Sequence, residues 1–176
     1  MLKNSLSNYG SVTKILHWLI FILIIGMLCL GFLMGGISDK ALRGEVINIH
    51  KLIGLSILVL MLFRLFWALI NLKPALPLGT PPWQKLAERI VQYSIYAALI
   101  AMPLSGWIMS VAAGYFPHLF GLEFGLPIPK SKAIDDMADN VHVYLAYVII
   151  ALISIHVLAA LYHFFIKKDD VLQRMM

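Results

Sequence analysis

Two histidines fourteen residues apart, His142 and His156, lie in or beside an apolar stretch from Val141 to Ile166 that also holds His163. A histidine in so apolar a segment is costly to bury unless something engages its imidazole, so the first expectation is chemistry. At about 100° per residue the spacing leaves both side chains within roughly 40° of one helix face, about 21 Å apart along the axis. One helix then offers two ligands near opposite sides of a bilayer. A bis-histidine haem needs two imidazoles from facing helices at one depth. Two depths call for two haems, and for two further histidines.

The elements that must position them follow from composition. The chain has 176 residues, 61% hydrophobic and 13% charged, whereas a soluble domain carries about a quarter charged residues. Apolar runs fall at Ile15–Ile37, Val46–Ile70, Ile90–Ala113 and Val141–Ile166. Each reaches the roughly 20 residues that cross about 30 Å of hydrocarbon. The expected fold is all-α: one integral-membrane domain over 1–176, an up-and-down antiparallel four-helix bundle with helices at about 14–37, 46–71, 86–113 and 139–166. The first run exceeds a signal-peptide core of about 7–15 residues and lacks a cleavage site, so it is read as a retained helix. Cys29 stands alone, which excludes a disulfide framework and reads as apolar packing.

The net charge of +5 is topogenic. Lys3, Lys14, Lys73, Lys85, Arg89, Lys167, Lys168 and Arg174 flank one side of this layout, with Arg64 near that end of the second run. On the other side Lys40, Arg43, Lys51, Lys130 and Lys132 are interleaved with acidic residues. The bias predicts an inner-membrane protein with both termini cytoplasmic, and no nucleic-acid partner.

Ser11 or Thr13 is the expected cap of the first helix, with His17 just inside it. The link from Lys73 to Trp83 holds four prolines and is expected to be extended. Pro103 should bend the third helix. The segment from Tyr115 to Asp139 reads as a loop with a short interfacial helix, and His118 as a solvated loop residue.

Depth selects the partners. His50 opens the second run and His142 the fourth; these run the same way, so the two match near the periplasmic face. His17 lies about 28–30 Å from the outer end, and a His142 about 5–8 Å deep puts His156 at about 26–29 Å and His163 at about 37–39 Å. The pairs are therefore His50 with His142 and His17 with His156. His163 is left at the cytoplasmic boundary to bond headgroups or a propionate. Gly54, one turn after His50, either admits a flat porphyrin or packs a helix. Arg64, fourteen residues after His50, either pairs with a propionate or snorkels to headgroups, and Lys51 offers the same choice outside. A His-lined cation transporter would need carboxylates at the same depth; no Asp or Glu lies inside any apolar run.

With these residues in hand, the chain resembles the bacterial cytochrome b561 family, related to the b-type cytochrome subunits of nickel–iron hydrogenases. The matching pieces are Lys14-Ile15-Leu16-His17-Trp18, Asn48-Ile49-His50-Lys51-Leu52-Ile53-Gly54 running on to Arg64-Leu65-Phe66-Trp67, Met102-Pro103-Leu104-Ser105-Gly106-Trp107, His142, and Ile155-His156-Val157 with His163. The resemblance implies haem ligands His17, His50, His142 and His156, two haem b groups, and electron exchange with ubiquinone. Some stand-alone members resemble superoxide oxidases, which implies a superoxide donor at the periplasmic face. Lys51, Arg43, Lys130 and Lys132 offer a small anion a cationic approach, weakened by their acidic neighbours.

Two functions compete. The first is a free-standing oxidoreductase passing single electrons between a small anionic or redox donor and ubiquinone, with no obligate soluble partner. The second is a membrane anchor carrying electrons for a dehydrogenase or hydrogenase; the short polar segments favour the first, and copurification discriminates them. Trp67, Trp107 and Tyr115 are candidates for a quinone pocket, with interfacial anchoring the simpler role for each.

Overall fold

Apolar runs bounded by capping and turn residues set the helices, and most of them extend beyond their apolar cores. In the computed structural model, which describes residues 1–77 and 79–176, α1 spans Ser11–Leu33 and closes in one 3-10 turn, Met34–Gly36. α2 spans Lys40–Ile70, α3 Pro82–Ala113 and α4 Lys132–Tyr162, the last running on through a π turn, His163–Lys167. All four are long and apolar enough to cross a membrane.

The starts differ from the sequence reading for local reasons. The N-cap of α1 is Gly10, which has no side chain to cap with, and not Ser11 or Thr13; Asn4 Oδ1 instead accepts from the Gly10 amide at 2.9 Å and the Thr13 hydroxyl at 2.7 Å. α2 begins at Lys40, not near 46, because Asp39 accepts from the Leu42 amide at 2.8 Å. α3 begins at Pro82 rather than 86, since proline at the first helical position loses no hydrogen bond. Ser131 caps α4, which begins at Lys132, seven residues before the expected 139. The expected interfacial helix is replaced by a small hairpin, β1 (His118–Leu119) and β2 (Leu122–Glu123), turning through Phe120 and Gly121 at φ 50° and 81°. Both turn residues have positive φ, the geometry that two-residue hairpin loops favour.

α3 packs its backbone most closely on α4, and α2 lies against both α1 and α3. Neither α1 nor α2 brings its backbone close to α4 over any length among the described residues. The buried core is a midsection plug: Ile20 and Ile24 of α1, Ile57 and Met61 of α2, Ala98 and Leu99 of α3, and Ile149 of α4. Large apolar side chains such as Ile22, Val59, Phe66, Leu158 and Phe165 face outward. Cys29 is also exposed, so it faces the surroundings and does not pack the interior as expected. A surface of this kind suits lipid.

Both termini lie at one end. The indole of Trp18 donates to the Met175 carbonyl at 2.9 Å, Lys14 bonds the Met176 carbonyl, and Ala75 donates to the Leu6 carbonyl at 3.1 Å. The hairpin marks the other end.

Candidate functional site

The fourteen-residue spacing on α2 and α4 produces two layers of polar side chains, one above and one below the apolar plug. In the layer nearer the hairpin, the His50 and His142 ring centroids are 6.3 Å apart. In the layer nearer the termini, those of His17 and His156 are 6.1 Å apart. α4 contributes to both. The structure thus brings together the two pairs that depth matching selected.

These separations suit iron. A metal with an imidazole nitrogen on each side at about 2.0–2.1 Å holds the ring centroids roughly 6 Å apart. No group of three His, Cys, Asp or Glu side chains converges to hold a bare ion among the described residues. A macrocycle that brings its own four nitrogens needs only the two axial donors that each layer has.

Glycines give the hairpin layer room. A cavity of about 310 Å³ is lined by His50, His142, Gly31, Gly54 and Gly106 within mostly apolar walls. A Cβ on Gly106 would stand 2.9 Å from Cε1 of His142 and 3.0 Å from Nδ1, and one on Gly31 would stand 3.6 Å from Cε1 of His50. Gly54 shares the cavity wall, but a Cβ there would meet only the Met27 methyl, at 3.8 Å. The closest glycine is therefore on α3, which carries no histidine. Its trace in the sequence is only the Ser105-Gly106-Trp107 cluster.

The groups behind the imidazoles differ between layers. Nδ1 of His142 donates to the Met102 carbonyl at 3.0 Å, with the Ser105 hydroxyl 3.2 Å away, and that hydroxyl itself donates to the same carbonyl at 2.8 Å. Nδ1 of His50 is buried without a partner. In the other layer Nη2 of Arg64 lies 3.0 Å from Nδ1 of His17, and its guanidinium carbon lies 5.7 Å from the Tyr96 ring centroid. Arginine only donates, so Nδ1 of His17 accepts in this arrangement. Arg64 thus reaches the histidine layer instead of turning away to the surface.

The other candidates fall outside the two layers or serve structural bonds. His163 bonds Asp169 at 2.6 Å at the end of α4, away from the pairs. His118 is exposed on β1. Lys51 donates to the Tyr115 carbonyl at 3.1 Å. The indoles of Trp67 and Trp107 donate to the Thr13 hydroxyl at 3.1 Å and the Phe124 carbonyl at 2.9 Å.

Known proteins resemble this chain over nearly its whole length. The family described as prokaryotic cytochrome b561 matches over residues 8–176. The chain is 32% identical to "Cytochrome b561 homolog 2" of Escherichia coli K12, over 98% of this chain and 93% of that protein. It is 32% identical to "Probable superoxide oxidase CybB" of Yersinia pestis, over 96% of each. It is 30% identical to "Cytochrome b561 homolog 1" of Escherichia coli K12, over 96% of this chain and 97% of that protein. A full-length match of this order, on a four-helix bundle with paired intramembrane histidines, means that the chain belongs to the prokaryotic cytochrome b561 family of membrane b-type electron-transfer proteins.

Proposed function

We propose that this cytochrome holds two haem b groups, one between His50 and His142 and one between His17 and His156, and passes single electrons between a periplasmic donor and ubiquinone. The observation that carries the reading is the two imidazole pairs, at 6.3 and 6.1 Å, in layers separated by the apolar plug. When bound, each haem supplies a reversible one-electron couple. The protein's share would be to hold the imidazoles of each pair in place and keep water from the midsection.

Superoxide is the proposed donor, drawn from the name of the Yersinia relative. The balance is simple. Two superoxide anions lose one electron each and become two dioxygen molecules; one ubiquinone takes both electrons and two protons and becomes ubiquinol. Lys51 at the hairpin layer's cavity is a positive charge on the approach, opposed by Asp139 on the same wall. The Lys and Arg residues gathered at the terminal end support an inner-membrane orientation with both termini cytoplasmic. The hairpin layer then faces the periplasm.

The purified protein is expected to show a reduced low-spin b-type spectrum with two haems per chain. His50→Ala and His142→Ala are expected to remove one haem, and His17→Ala and His156→Ala the other. Loss of the His17 haem in His163→Ala but not in His156→Ala would sink the ligand assignment. A pulse of superoxide in the presence of ubiquinone, followed optically, is expected to reduce the haems transiently. No haem reduction in that assay rejects superoxide as donor.

A further inference from the structure

The two histidine pairs are alike at the rings and unlike behind them. His142 donates its Nδ1 proton to a carbonyl, that of Met102. Such a bond raises the basicity of the other ring nitrogen and makes it a stronger donor to a metal, which favours the oxidised state. His17 instead finds a cation: Arg64, at 3.0 Å from the same ring atom. A positive charge there withdraws density from the ligand and favours the reduced state. The sign does not depend on where the guanidinium settles when haem is bound. A His17 that gave Nε2 to haem would carry its proton on Nδ1 and could not accept from Arg64. The guanidinium would turn to another acceptor and remain a positive charge within the same layer.

Charge balance sharpens the contrast. Nε of Arg64 is buried without a partner, and no ion pair among the described residues includes this arginine. Glu88, on the same end of α3, is held by Lys73 at 2.7 Å. The hairpin layer has two charges on its cavity wall, Lys51 and Asp139, of opposite sign. To first order they cancel.

We propose that Arg64 sets the haem of the terminal layer at the higher reduction potential and so makes electron transfer from the hairpin layer to the terminal layer downhill. One electron leaves the hairpin-layer site, which is oxidised, and enters the terminal-layer site, which is reduced; no bond forms and no proton is needed. Arg64 is a positioning and tuning residue here, not a catalytic one. The inference rests on the two-haem reading above.

Spectroelectrochemical titration of the haem-loaded full chain tests it. The unaltered protein is expected to titrate as two one-electron components whose mutual equilibrium favours one site by about tenfold or more, equivalent to about 59 mV. Arg64→Met is expected to lower the upper component by about tenfold and leave the lower one in place. Arg64→Lys, which keeps the charge, retains most of the separation. A shift confined to the lower component, or none in either, overturns the proposal. If Arg64→Met binds no haem, the single-haem proteins His50→Ala and His17→Ala give the same comparison. The haem left in His50→Ala must then titrate above that left in His17→Ala, and the reverse order overturns the proposal. Fewer than two haems in the unaltered protein overturns the underlying reading, a failure distinct from a reversed order.

Discussion

Gly106 shows how one absent side chain decides a site. It faces His142 across the α3–α4 contact, and a methyl group there would stand 2.9 Å from the imidazole. The ring would have to move, so on the two-haem proposal Gly106→Ala is expected to cost the hairpin-layer haem, with haem content falling from two per chain toward one. Gly54→Ala adds a methyl 3.8 Å from Met27, an ordinary contact. It is expected to keep both haems and to gain up to about 1 kcal/mol of helix propensity. Pyridine haemochrome assay of the two purified variants checks the contrast. The sequence drew attention to Gly54 because it lies one turn from His50 on the same helix, a relation readable along the chain. Gly106 and the Met102 carbonyl meet His142 across a gap of more than thirty residues. A backbone carbonyl, moreover, has no letter of its own.

At the scale of elements, α4 organises the molecule. With its π turn it runs for 36 residues, about 54 Å, well beyond the roughly 30 Å of hydrocarbon. Its first turns carry Lys132, Asp135, Asp136 and Asp139, and its start is tied to the end of α3 by the Ser131 amide, which donates to the Ala112 carbonyl at 3.1 Å. Apolar runs mark only the membrane-embedded part of such a helix, so they place its start seven residues late. The hairpin is tied to α2 by Asn48, whose amide donates to the His118 carbonyl at 3.0 Å and accepts from the His118 amide at 3.2 Å. Asn48→Ala is expected to loosen the hairpin by about 1–2 kcal/mol, raising hydrogen exchange over 115–124 while haem content stays unchanged. At the opposite end His163 bonds Asp169, in place of the headgroup or propionate that the sequence suggests. The link between α2 and α3 joins the same end, where Asn4 donates to the Leu72 carbonyl at 2.8 Å.

For the molecule as a whole, the orientation proposed from Lys and Arg placement has a direct test. A green fluorescent protein fused after Met176 is expected to fluoresce, and an alkaline phosphatase fused at the same point to be inactive. The opposite result inverts the bundle and puts the hairpin layer on the cytoplasmic side. The sequence alone determined four spanning helices and the pairing of four histidines by depth, because helix rise and bilayer thickness are nearly fixed quantities. It left open which face of each helix meets which neighbour, since rotation about a helix axis is settled only by packing. That rotation put a carbonyl behind His142 and a guanidinium behind His17. The tertiary structure therefore decided what separates two otherwise similar sites.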